Sequence, residues 1–139
     1  MHRCDRLLGP PVRYMPTRSG HTIPGLRLRV RPPGHAFGVE DGFHVDTGSD
    51  VAFGLKPQLR NWLRSVGARP GRDAVEWGPK VLCETYDLAL LLEGAWTDFE
   101  AFFPTGPFLE ENLVGRPVLE RMPLCMRPSD RLLYVSRAH

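Results

Sequence analysis

Hydrophobic and polar positions alternate most cleanly just after Ile23. Leu26, Leu28 and Val30 fall on one side, and Arg27, Arg29 and Arg31 on the other. That is the period of a half-buried strand. Pro32-Pro33-Gly34 predicts a turn. A second strand is expected over about residues 36–39, ending in a tight turn at Glu40-Asp41-Gly42. Phe43-His44-Val45 makes a third short strand that leads Asp46 into a loop. Leu59, Trp62, Leu63 and Val66 then recur at helical spacing, with Pro57 suited to the first turn and Gly67 to the stop. A main helix over about 57–66 follows.

Beyond Pro70-Gly71 the pattern predicts a hairpin with Trp77-Gly78-Pro79 at its tip and a long return strand from Lys80 to about Leu92. Residues 94–112 show no clear period, although Trp96, Phe99, Phe102 and Phe103 are expected to be partly buried. Leu113-Val114-Gly115 reads as a short buried strand. Pro117 opens a short helix over about 117–122, and the chain closes on a strand from Arg131 to Val135. Residues 1–20 carry Pro10, Pro11 and Pro16 among Gly and Arg, which oppose helix and central strand alike. They are expected to form an irregular arm. Residues 21–139 are expected to form one all-β, barrel-like domain with one main helix.

Composition narrows the function classes. A chain of 139 residues fits a single domain, and 42% hydrophobic with 24% charged residues is ordinary for a globular protein. The longest apolar run, Leu88 to Leu92, is far short of the roughly 20 residues of a membrane span. Leu7-Leu8 is too short for the core of a signal peptide, so the expected setting is cytoplasmic, with no membrane partner. A net charge of +2 gives no case for nucleic acid. Of the 18 basic residues only Lys56 and Lys80 are lysines, a bias rather than a patch. Cys4, Cys83 and Cys125 have no metal-ligand spacing and the five histidines are scattered. No metal and no cofactor are expected. Cys83 and Cys125 suit buried small hydrophobes better than nucleophiles.

The chemistry lies in Phe43-His44-Val45-Asp46-Thr47-Gly48-Ser49, where two strand residues bring an acid to a sharp turn followed by a hydroxyl and a glycine. An Asp-Thr-Gly triplet alone fits many turns. Here a second segment stands about seventy residues downstream, Asn112-Leu113-Val114-Gly115-Arg116-Pro117-Val118-Leu119. Together they resemble the signature of the retropepsin-like aspartic proteases: a hydrophobic pair, Asp-Thr/Ser-Gly-Ala/Ser, and later two apolar residues, Gly-Arg or Gly-Asp and a short helix. The resemblance covers roughly residues 22–136. It implies the retropepsin-like acid-protease barrel and an aspartic endopeptidase acting on polypeptides.

By that resemblance Asp46 is the catalytic carboxylate, Thr47 turns its hydroxyl across a dimer axis, and Gly48 leaves room for substrate. Ser49 takes the small-residue position, Asp50 contacts the substrate backbone, and Arg116, after Gly115, pairs with Asp50 as structural support. Trp77 and Gly78 fall where the family carries its substrate-covering flap, though Pro79 departs from the glycine-rich flaps of retroviral members. Val51, Phe53 and Trp77 are expected around an apolar cleft. The family hydrolyses peptides with two nearby carboxylates that share one proton, because like charges so close cannot both ionise cheaply. This chain holds one Asp-Thr-Gly, so the resemblance implies a homodimer in which two copies of Asp46 meet, with Leu132 to Val135 a candidate interface strand. The alternative is a non-catalytic member of the same fold, serving dimerisation or peptide binding.

Overall fold

The computed structural model describes residues 12–13, 15–16, 22–71, 75–77, 81–122, 124–127 and 132–135. Its centre is a barrel of six strands: β4 (Gly25–Arg31), β5 (Val39–Val45), β6 (Phe53–Gly54), β8 (Val81–Leu92), β9 (Ala95–Pro104) and β10 (Asn112–Val114). Neighbours run in the order β4-β5-β10-β6-β9-β8, and the ring closes where Val30 and Arg31 of β4 pair with Leu90 and Ala89 of β8. The short β7 (Val75–Trp77) adds to the first half of β8. Three further pieces, β1 (Val12–Arg13), β12 (Leu132–Val135) and β11 (Leu124–Arg127), form a separate antiparallel sheet in the order β1-β12-β11. Met15–Pro16 (β2) and Thr22–Ile23 (β3) pair with each other. Closure removes the exposed edges that an open sheet of this size would present.

The alternation in β4 has the expected outcome. Leu26, Leu28 and Val30 are buried in the core while Arg27 and Arg29 face solvent. The same core takes Phe43 and Val45 from β5, Phe53 from β6, Leu88 and Leu90 from β8, Ala101 and Phe103 from β9 and Val114 from β10. Helix α1 (Pro57–Ser65) caps one end, burying Leu59 and Leu63 and resting Trp62 against the cluster. Its stop is local: Gly67 has φ +101°, a conformation open to glycine at no steric cost. Burying Leu59 and Leu63 contributes about 3–6 kcal/mol to holding the helix in place.

Arg60, directly after Leu59, binds Glu84 of β8 at 2.9 Å, Tyr86 donates to the same carboxylate oxygen at 3.0 Å, and the guanidinium lies 4.6 Å from the Phe103 ring centre. Burial, then the bond to Glu84, pushes the Tyr86 hydroxyl above its ordinary value. Cys83 is fully buried and unpaired, and burial raises its thiol likewise, which keeps it an inert hydrophobe.

Two sequence expectations need correction. The turn expected at Glu40-Asp41-Gly42 does not exist: β5 runs unbroken from Val39 to Val45, and residues 36–38 are loop. The polar residues stay in the strand because other groups satisfy them. Asn112, wholly buried at the start of β10, donates from Nδ2 to Asp41 Oδ2 and to the Gly42 carbonyl, both at 3.0 Å. Its Oδ1 accepts from the Lys56 N–H at 2.9 Å, just before α1, and Lys56 Nζ lies 3.5 Å from Asp41. One amide thereby ties β5, β10 and the helix start together. Replacing it with Ala strands a buried N–H, a carbonyl and part of a carboxylate, so Asn112→Ala is expected to cost about 3–4 kcal/mol. Urea unfolding with an unchanged slope would read that loss as a lower midpoint.

Residues 95–104, which showed no clear period, form the strand β9. It returns from β8 through a two-residue loop in which Glu93 (φ 50°) and Gly94 (φ 79°) are both left-handed. That is the backbone sense that suits a tight hairpin. The predicted hairpin before β8 is present, with Val75 opposite Cys83 and Trp77 opposite Val81. Its tip, Gly78 and Pro79, and the Trp77 side chain lie outside the described residues. The short C-terminal helix appears as α2 (Arg116–Leu119), continued by a turn through Met122. Among the described residues, no helix is long and apolar enough to cross a membrane.

Candidate active site

Strand β5 ends at Val45 and hands the chain to a loop whose shape is set by its neighbours. The Val45 N–H bonds the Pro24 carbonyl at 2.9 Å, and the Asp46 N–H bonds the Val114 carbonyl at 2.9 Å. Strands β5 and β10 run parallel here, with Val45 level with Val114. The two sequence segments separated by about seventy residues are therefore side by side. Directly after Val114 the Gly115 N–H reaches back to the Ala52 carbonyl (2.9 Å) and the Arg116 N–H to the Ser49 carbonyl (3.0 Å). The loop is fastened on both flanks by main-chain bonds, so the position of Asp46 is fixed by backbone rather than by packing of its own side chain.

Within the loop, Asp46 Oδ1 accepts the Gly48 N–H at 3.1 Å, and the Ser49 N–H closes onto the Asp46 carbonyl at 3.2 Å. Asp46 is half-buried, whereas Thr47 and Gly48 at the tip are exposed. Among the described residues the Thr47 hydroxyl meets no hydrogen-bond partner. Ser49 turns inward and is 6% exposed, its hydroxyl shared with the amide and carbonyl of Val51.

The two glycines differ in what demands them. A methyl on Gly115 would overlap the Val51 carbonyl oxygen and press on Ser49 at 3.0 Å, so the crossing of β10 under the loop requires a residue without Cβ. A methyl on Gly48 would meet only Asp46 Oδ1, at an ordinary 3.6 Å. Nothing among the described residues requires glycine at position 48.

Asp50 and Arg116 are brought together as an ion pair through Oδ1 and Nη2. Their side chains are 82% and 53% exposed, and exposed pairs contribute little stability. The contact orients the guanidinium beside the loop. Val51 is half-buried, but Phe53 does not border a cleft as expected. It is fully buried, with its ring 5.3 Å from Phe43 and 5.8 Å from Phe99. The two-residue period places Phe53 inward once β6 is slotted between β10 and β9. Asn112 is the residue whose importance the sequence did not disclose. Its signal was an amide opening the short strand Asn112–Val114, whose other two residues are apolar, a position that burial makes costly unless every polar atom is paired. Among the described residues no group of His, Cys, Asp and Glu side chains is arranged to hold a metal ion.

No protein-family model matches the chain, and no curated protein matches its sequence. Among solved structures it is similar to the crystal structure of a retropepsin-like aspartic protease from Rickettsia conorii, with a TM-score of 0.56. The two are 17% identical, over 91% of this chain and 89% of that one. At this identity the similarity concerns architecture, and with the closed six-stranded barrel and two short helices it establishes that the chain has a retropepsin-like all-β fold.

Proposed function

We propose that this protein is an aspartic endopeptidase whose active site forms between two copies of the chain, each contributing Asp46. The observation that carries the reading is the tip of the Asp46 loop. A carboxylate on a loop fastened by main-chain bonds stands beside an exposed threonine and a glycine, and among the described residues the threonine hydroxyl has no hydrogen-bond partner and nothing close requires the glycine. Both features make sense if something outside the subunit packs there. A second copy related by a two-fold axis would place Thr47 against its equivalent and the two Asp46 carboxylates side by side.

Two carboxylates held that close share a single proton. The ionised one takes a proton from a water molecule as the water oxygen attacks the peptide carbonyl carbon. The protonated one donates a hydrogen bond to the oxygen on which charge develops. Collapse of the tetrahedral species breaks the C–N bond and returns a proton to the departing amine. Ser49 and Gly48 keep the floor of the site low, and Asp50, oriented by Arg116, is available to a substrate backbone N–H. Trp77 and Gly78, on the hairpin preceding β8, cover the substrate in this reading. An extended peptide fits such a site through main-chain hydrogen bonds and alternating side-chain pockets. The reading takes residues 21–139 as the protease domain, residues 1–20 as an arm, and a cytoplasmic setting.

The decisive test is how activity depends on enzyme concentration. Hydrolysis of a peptide library at mildly acidic pH is expected to fall with the square of protein concentration once dimers dissociate. Sedimentation under the same conditions is expected to show the dimer disappearing in step. Turnover by a species that sediments only as a monomer would exclude the shared dyad. A dimer that hydrolyses nothing would leave a peptide-binding module of the same fold.

A further inference from the structure

Beside the Asp46 loop lies an open groove of about 240 Å³. Its walls are Val51, Ala52, Phe99 and Phe102, and its rim carries Asp50 and Glu100. Small-molecule sites generally occupy about 300–1,000 Å³, so this groove suits one side chain rather than a whole ligand. Its position suits a substrate as well. Asp50 is four residues from Asp46, and four extended residues span at most about 14 Å. Asp50, on the rim, is therefore no more than about 14 Å from Asp46, within reach of a side chain a few residues from the centre of a peptide bound there.

Charge says which side chain. Asp50 is already matched by Arg116. Glu100 is exposed and stands directly opposite Asp87, also exposed, in the β8–β9 pairing. Neither makes an ion pair among the described residues. Like charges directly opposite one another weaken a sheet, yet here the strands hold two carboxylates face to face beside an apolar groove. Among the described residues this negative charge has no ion-pair partner, although the whole chain is net positive by 2. Aromatic and aliphatic walls below a carboxylate rim suit a long side chain with an apolar stem and a cationic head.

We infer that this groove receives an arginine or lysine side chain of the bound peptide, a few residues from the cleaved bond, with Glu100 as the residue that selects it. The inference rests on the protease reading for the source of the peptide. Its test separates the two. Fluorescent octapeptides with a fixed apolar centre would carry Arg, Gln or Glu at each flanking position in turn. They would be titrated onto the Asp46→Asn protein for binding and supplied to the parent protein for cleavage. At one flanking position Arg is expected to bind about tenfold more tightly than Glu, with the same preference appearing in KM rather than kcat. Glu100→Arg should abolish or reverse that preference. The change puts an opposite charge across from Asp87, so it does not endanger the fold.

A preference that survives Glu100→Arg, or the absence of any position favouring Arg, would overturn the assignment even if cleavage occurs. Binding with the basic preference but no cleavage of any peptide would keep the groove and remove the protease. Neither binding nor cleavage would remove both.

Discussion

Asp46→Asn is expected to fold like the parent chain and to lose peptide hydrolysis by about a thousandfold or more. The fold is safe because the loop is fastened by the main-chain bonds from Asp46 to Val114, Arg116 to Ser49 and Gly115 to Ala52. Among the described residues, the bond that Asp46's side chain makes, accepting from the Gly48 N–H at Oδ1, can be made by an amide oxygen as well as by a carboxylate. What an amide cannot do is accept the proton that water must shed, nor carry the shared proton of an acid pair. In a two-fold dimer the substitution removes both acids at once, so no half-site survives. A mixing experiment sharpens this. Excess Asp46→Asn protein added to the parent should draw it into mixed dimers and suppress its activity in proportion. Parent activity indifferent to the excess would mean that each subunit works alone, and activity retained by Asp46→Asn itself would remove the acid from the mechanism.

How much of this could be read from residues alone follows the range of the interactions involved. The strand Gly25–Arg31 and the helix Pro57–Ser65 were legible because each writes its own periodicity over several residues and each buries one face. The Asp46 loop was legible as two segments that make sense only together, and the structure places them in parallel register, Val45 beside Val114. The Asp50–Arg116 pair was expected from the family resemblance, and the structure brings the two side chains together.

What was illegible was set at a distance. Glu40-Asp41-Gly42 has the composition of a turn, and it remains strand through pairing with β4 and through the amide of Asn112, seventy residues away. The strand Ala95–Pro104 carries aromatic residues on both faces, Trp96 and Phe102 on one and Phe99 and Phe103 on the other. Its alternation is therefore blurred, although its pairing with Val81–Leu92 is continuous. Phe53 was misplaced for a related reason: a two-residue strand has no period of its own, and its inward face is decided by the strands on either side.

Gly115 is where fold and candidate chemistry meet, and Gly115→Ala is the sharpest structural test of that junction. The added methyl has nowhere to go: the Val51 carbonyl occupies its place, and Ser49 closes the other side at 3.0 Å. The obstacles are main chain and the stub of a buried side chain, so rotation of a flexible group cannot relieve the overlap. Relief requires moving either β10, held between β5 and β6, or the segment from Ser49 to Ala52. The loop is the softer of the two, because between Ser49 and Phe53 only the small Ala52 belongs to the core cluster. Overpacking of this kind is expected to cost about 2–3 kcal/mol of stability. The functional loss is expected to be larger than that figure suggests. The bonds that yield, Gly115 to Ala52 and Arg116 to Ser49, are those that hold the Asp46 loop in place, and a displacement of about 1 Å in a reacting group lowers turnover about a hundredfold. The signature is thus a moderate fall in the urea midpoint together with a disproportionate fall in kcat measured well below that midpoint. A Gly115→Ala protein that keeps both would show that the close crossing under the loop does not set the position of the acid.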